Sequence, residues 1–440
     1  MAQLSNPKKW IARKFFFFAL FLLGTALIFG LTGALEYLFP GLFKEYFSFE
    51  KIRPIHVTSA IFWIIFAAIG AVYTYIEEIG EKGIFSKKLM NIQFYTLAST
   101  VILILITYFF GVFGGREYWE FHPILAIPLG FSWVIFFVNV FKSFISFKKQ
   151  PVYVWMWMTG AIFFIFTFLE SYLWLIPYFR SNIVSDLTIQ WKSSGSMVGC
   201  WNMLIYGSSI YLMDKISGTT QYSHSKIAFS LYFLGLFNLM FNWGHHLYTL
   251  PTASYVQYIS YAVSMTELLI LGRIIMLWRS SLSTAKKNYH LYSYRFLLSA
   301  DIWIFLTLLL AILMSIPAIN VYTHGTHITV AHTMGATIGI NSFLILSFVF
   351  DIFGIKKVSP KRFNFAYLLL NSSLFIFWSA LIVAGVLKAH WQMTENTKVF
   401  SEMMNDLKPA FMVFFFAGIG LATALFIFIF KILKHVRSLK

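Results

Sequence analysis

Twelve runs of at least ~20 mostly apolar residues follow one another along the chain, the length a helix needs to cross a bilayer core. They lie at about 15–39, 54–78, 90–113, 122–147, 151–177, 187–213, 226–250, 254–279, 295–317, 322–352, 363–388 and 408–433. Within lipid every backbone polar group must be satisfied inside its own segment, so such runs cross as helices. Of the 440 residues, 59% are hydrophobic and only 12% charged, a balance no soluble domain tolerates. The chain therefore reads as an all-α polytopic membrane protein, a single twelve-helix domain over residues 1–440 embedded in the lipid bilayer.

The net charge of +17 does not mark a nucleic-acid binder, because the cations alternate between loops. Lys82, Lys87 and Lys88, then Lys148 and Lys149, Lys215, Lys286 and Lys287, and Lys356, Lys357, Lys361 and Arg362 follow the even-numbered spans. Lys434, Arg437 and Lys440 lie in the C-terminal tail, whereas 250–253 and 317–322 have no Lys or Arg. This is the positive-inside pattern, with both termini cytoplasmic. Lys8, Lys9, Arg13 and Lys14 precede a long apolar run without a small-residue cleavage motif, which reads as a first transmembrane helix and not a removed leader. The single cysteine, Cys200, excludes disulfides within the chain and cysteine-based metal clusters.

The histidines concentrate near the outer ends of three spans. His56 lies on the second, the adjacent pair His245 and His246 on the seventh, and His324, His327 and His332, with Met334, on the tenth. Ligating side chains in a membrane span are costly and mark function. Each residue of an α-helix turns the side chain by ~100°, so His332 and Met334 point to nearly opposite faces. Each can serve a different heme plane, since imidazole and thioether are both axial heme ligands. His56 is the candidate partner across a low-spin heme. His245 and His246 suit one non-heme metal ion beside the helix end. His324 and His327 are either interfacial polar residues or partners of heme propionates.

Four stretches carry a resemblance to a known family. They are Gly114-Gly-Arg-Glu-Tyr-Trp-Glu120, Trp243-Gly-His-His-Leu-Tyr248, Ser264-Met-Thr-Glu267 and Thr323-His-Gly-Thr-His-Ile-Thr-Val-Ala-His332. Together they resemble the heme-copper oxidase superfamily, and within it the catalytic subunit of nitric oxide reductases. The length is similar to the short, cytochrome c-dependent type, without the N-terminal extension of the quinol type. The resemblance implies a subunit I-like fold in the cytoplasmic (inner) membrane, with a membrane-anchored cytochrome c subunit as partner. It implies two hemes b: a low-spin heme on His56 and Met334, and a high-spin heme on His332. It further implies a non-heme iron, or copper, on His245 and His246, and Glu267 as the nearby carboxylate that relays protons. Glu117 and Glu120 would lie by the propionates, where the family binds calcium.

Two positions depart from the family pattern. Met334 stands where the family has a second histidine, and His/Met ligation raises a heme potential relative to bis-His. On the sixth span, Asn202 and Tyr206 stand where the nitric oxide reductases have an iron-binding His and a Glu four residues later. An amide oxygen is a weaker ligand for Fe or Cu than imidazole. The reaction that the resemblance implies is reduction of NO to N2O. The altered sixth span also resembles the proposed nitric oxide dismutases, and a third reading is a heme-bearing electron-transfer or gas-sensing subunit without catalysis.

Overall fold

The computed structural model describes residues 11–80, 82–273, 288–355, 360–394 and 398–438. Lys8, Lys9, Lys286, Lys287, Lys356, Lys357 and Lys440 of the charge pattern lie outside these residues, as does the end of the expected span 254–279. The described residues are all-α, with one isolated β-bridge between Arg116 and Trp119.

Ten of the described helices are long and apolar enough to cross a membrane. They match ten of the twelve expected runs. Of the other two, 187–213 forms the 35-residue helix Ile183–Ser217. It is ample in length but carries Lys192, Ser193, Ser194, Ser196, Asn202, Ser208 and Ser209, and so falls short in apolarity. The run from 254 begins as the helix Ser254–Met265, is interrupted at Thr266, and is helical again over 267–273.

The chain divides into two compact units. The first comprises, of the described residues, Leu20–Trp63 and those from Tyr289 onward. Here the helix Pro360–Thr394 packs along Lys408–Arg437 through Phe377 and Phe414, whose rings are 4.4 Å apart, and through Gly420, where a Cβ would clash with Ser373 Oγ. Phe428 meets both Phe296 and Phe350 edge-to-face, and Tyr292 stacks on Phe363 at 3.8 Å. Small residues permit such approaches where lipid supplies no hydrophobic drive between helices.

The second unit comprises the described residues among 11–19 and 64–288. Trp133 of the helix Ala126–Ser143 stacks on Phe164 of Val152–Glu170 at 3.8 Å. Val152–Glu170 in turn lies against Ile183–Ser217 so closely that a Cβ on Gly160 would sit 2.5 Å from the Cys200 carbonyl oxygen. Buried polar groups pair locally: Trp157 Nε1 donates to Ser208 Oγ at 3.2 Å, and Tyr73 donates to Gln93 Oε1 at 2.5 Å.

The expected tenth span is not one continuous helix. The short helix Pro317–Thr323 ends at His324, and the next runs from His327 to Met334. Gly325 between them adopts a left-handed φ of 72°, and Thr326 caps the second helix by accepting from the Ile328 N–H at 3.2 Å. Residues Gly335–Ser342 then form a π-helix before the α-helix resumes over Phe343–Ile352.

Candidate functional site

In the first unit, His56 sits on the helix Phe49–Ile79. Its Nδ1 lies 2.7 Å from the Ala26 carbonyl oxygen, which can only accept, so Nδ1 carries the proton and Nε2 the lone pair. Gly30 makes room for the ring: a Cβ there would lie 2.8 Å from His56 Cε1 and Nδ1. His332 and Met334 occupy the last turn of His327–Met334, where regular α geometry keeps them on different faces, immediately before the π-helix. Such segments are frequent at functional sites. Two glycines in this π-helix admit the neighbouring helix Tyr292–Ser315. A Cβ on Gly339 would meet the Trp303 ring at 2.5 Å, and one on Gly335 would meet Thr307 Oγ1 at 2.6 Å.

Thr307 Oγ1 and Trp378 Nε1 are buried without a hydrogen bond, and the His332 ring, whose Nδ1 has no close partner, faces the Thr307 backbone. Such orphaned polar atoms are rare in a finished core and mark places where a further group belongs. His324 is half-buried at the break, its N–H bonded to the Asn320 carbonyl at 2.8 Å. His327 is buried against Tyr37 and Phe411, with ring centroids 5.9 Å and 5.1 Å away.

In the second unit, the helix Lys226–Phe241 tightens into a 3-10 turn over Asn242–Leu247, which carries both His245 and His246. Gly195 and Gly199 on Ile183–Ser217 let this element come close; a Cβ on Gly199 would lie 2.5 Å from Leu239 Cγ, and one on Gly195 3.2 Å from Trp243 Cβ. The His246 ring then stacks on Trp191 at 4.8 Å and 12°. The two imidazoles are 4.3 Å apart. His245 Nδ1 meets Ser264 Oγ at 3.3 Å, Ser264 donates to Asn242 Oδ1 at 2.8 Å, and Asn242 Nδ2 donates to Glu267 Oε1 at 2.5 Å. Glu267 is buried, and its Oε2 has no hydrogen-bond partner.

Asn202 and Tyr206 lie one turn apart on Ile183–Ser217, both half-buried, and the Tyr206 hydroxyl is within electrostatic reach of Glu267. Among the described residues, no group of three or more His, Cys, Asp and Glu side chains could hold a metal ion.

Glu117 and Glu120 flank a tight turn in which Gly114 and Gly115 N–H groups both donate to the Glu120 carbonyl at 3.0 Å. Gly115 is required there, since a Cβ would lie 1.9 Å from the Trp119 carbonyl oxygen. The turn is tied to Ile183–Ser217 by an Arg116–Asp186 ion pair and by Gln190, which donates to the Glu117 carbonyl at 3.1 Å. Glu117 is exposed and Glu120 half-buried.

Residues 10–428 match the family model for cytochrome c and quinol oxidase polypeptide I. The chain belongs to the heme-copper oxidase subunit I family. It is 23% identical over 375 residues to a nitric oxide reductase subunit of Stutzerimonas stutzeri, covering 79% of this chain and 76% of that protein. It is 22% identical over 388 residues to a cytochrome c oxidase subunit 1 homolog of Agrobacterium tumefaciens (strain T37), covering 82% and 70%. The fold is similar to that of a heme-copper terminal oxidase dimer solved by cryo-EM, with a TM-score of 0.70 at 15% identity, over 98% of this chain and 84% of that one.

As a family member the chain is a membrane oxidoreductase of the heme-copper type, whose cofactors are hemes and a further metal centre. The residues present fit such groups. His56 has its Nδ1 proton committed to a carbonyl and Gly30 clears the space around its ring, as an axial imidazole requires. The orphaned atoms around His332 suit a buried polar ligand edge, and the His245–His246 pair presents two imidazoles to one side of a turn. Sequence reading did not find Gly30, Thr307, Trp378, Trp191 or Asn242. Only Asn242, an amide three residues before the histidine pair in an apolar span, left a local signal.

Proposed function

We propose that this chain is the catalytic subunit of a nitric oxide reductase-type enzyme, carrying out 2 NO + 2 electrons + 2 protons to N2O and water. The observation that supports this best is the buried carboxylate of Glu267, hydrogen-bonded through Asn242 and Ser264 to His245. It ties a proton-carrying group to a histidine of the candidate metal pair. The relative in Stutzerimonas stutzeri adds to it.

In this reading the chain has twelve spans with both termini cytoplasmic, in the inner membrane. His56 and Met334 hold the low-spin heme b, His332 the high-spin heme b, and His245 and His246 a non-heme iron or copper. When bound, these groups supply the electrons and hold two NO molecules for N–N coupling. The chain's own part is to orient and to move protons. Ala26 fixes the His56 ring, Trp191 fixes the His246 plane, and Glu267 Oε2, which has no partner of its own, passes protons inward. Tyr206 lies within electrostatic reach of Glu267. His324 and His327 sit toward the propionates, Glu117 and Glu120 offer oxygens to calcium, and electrons arrive from a membrane-anchored cytochrome c subunit.

Asn202, at the position of a family histidine, favours a second reading in which the same scaffold dismutates NO to N2 and O2. The test is turnover of 15N-labelled NO by the purified protein with an electron donor. Labelled N2O confirms reduction. Release of O2 without a reductant, or no gas product at all, overturns it.

A further inference from the structure

The chain Glu267–Asn242–Ser264–His245 is set by the orientation of Asn242. Asn242 turns its Nδ2 toward Glu267 Oε1, at 2.5 Å, and its Oδ1 the other way. Oδ1 then needs a donor, and Ser264 Oγ supplies it at 2.8 Å. A hydroxyl has one proton. Ser264 therefore meets His245 only with a lone pair, at 3.3 Å, and His245 Nδ1 must be the N–H. The neutral imidazole consequently carries its lone pair on Nε2.

We propose that Asn242 and Ser264 are positioning residues that lock His245 into the Nε2-ligating tautomer, with Glu267 as the terminal anchor of the lock. The proposal rests on the reading of His245 as a metal ligand. The backbone is shaped for it. Ser260 and Ser264 lie one turn apart on the helix Ser254–Met265, and Gly244 lies against the first of them, where a Cβ would be 1.9 Å from Ser260 Oγ. Only glycine at 244 brings the 3-10 turn close enough for the 245–264 contact. The His246 ring is held in another way, by stacking on Trp191. Outer-shell partners of this kind change metal affinity by ~10–100-fold when removed.

The test is Fe(II) titration of chelator-treated protein, with iron per heme measured after gel filtration. Ser264→Ala and Asn242→Leu are expected to bind Fe(II) ~10–100-fold more weakly than the parent. Ser264→Thr, which keeps the hydroxyl, restores the affinity, and the visible heme spectrum stays that of the parent in all three. Parent-like affinity in Ser264→Ala, affinity in Ser264→Thr as weak as in Ser264→Ala, or a parent that takes up no Fe(II) overturns the proposal. Parent protein that binds Fe(II) through this lock yet makes no N2O from NO overturns the functional reading and leaves the lock standing.

Discussion

The Gly30 backbone faces the His56 ring so closely that a Cβ there would lie 2.8 Å from both Cε1 and Nδ1. The ring cannot retreat without losing its 2.7 Å bond to the Ala26 carbonyl. Gly30→Ala is therefore expected to displace His56 and abolish the low-spin heme signature in optical and EPR spectra. Iron at the non-heme site should remain. An unchanged low-spin spectrum would remove His56 from heme ligation.

Met334 ends its helix on a different face from His332. If its thioether binds the low-spin heme, Met334→His gives bis-imidazole ligation and a lower potential. A fall of ~0.1 V or more is expected in a spectroelectrochemical titration, within the ~0.8 V that axial ligands span. Met334→Leu should lose six-coordination. A low-spin spectrum indifferent to both changes would show that the sulfur does not touch iron.

Glu267→Gln keeps an oxygen for Asn242 to bond but removes the titratable group. Turnover of NO is expected to drop ~10²–10⁴-fold, the usual worth of a positioned acid or base. Heme content and iron content should match the parent. Rapid turnover by this variant would mean that protons reach the site another way.

Gly385 sits where the helix Pro360–Thr394 crosses His327–Met334; a Cβ there would lie 2.5 Å from the Ile328 amide nitrogen. Backbone cannot yield as a side chain does. Gly385→Ala is expected to cost about 1–3 kcal/mol through overpacking. The loss should appear as a lower midpoint for thermal release of heme from the detergent-solubilised protein. Gly272, helical and with open space around it, is a control site for the same substitution.

The membrane helices were legible in the sequence because a bilayer imposes length and apolarity on each run separately, and neither depends on tertiary context. The sixth run shows the limit of that signal: Ile183–Ser217 forms as expected, but its serines and Asn202 dilute the apolar count. The break at His324–Thr326 was hidden for a different reason. It depends on one left-handed glycine and one threonine cap, which an apolar count does not register. The histidines on the second, seventh and tenth spans stood out because polar ligands are scarce in lipid. Their supports did not. Ser264 lies 19 residues from His245, and Ala26 lies 30 from His56, so only the packed structure pairs them.

The π-helix Gly335–Ser342 has a bearing on descent. A π turn closes over five residues where an α turn closes over four, so it accommodates one residue more for the same advance of the chain. Loss of that residue would straighten the segment while leaving Met334 and everything before it in place. Both flanks, including Ser342, whose Oγ accepts from Trp63 Nε1 at 3.0 Å, would keep their register. Homologous chains are thus expected to differ by single-residue gaps between the positions of Met334 and Phe343. The ligand-bearing turn would be inherited as one block and its anchor as another.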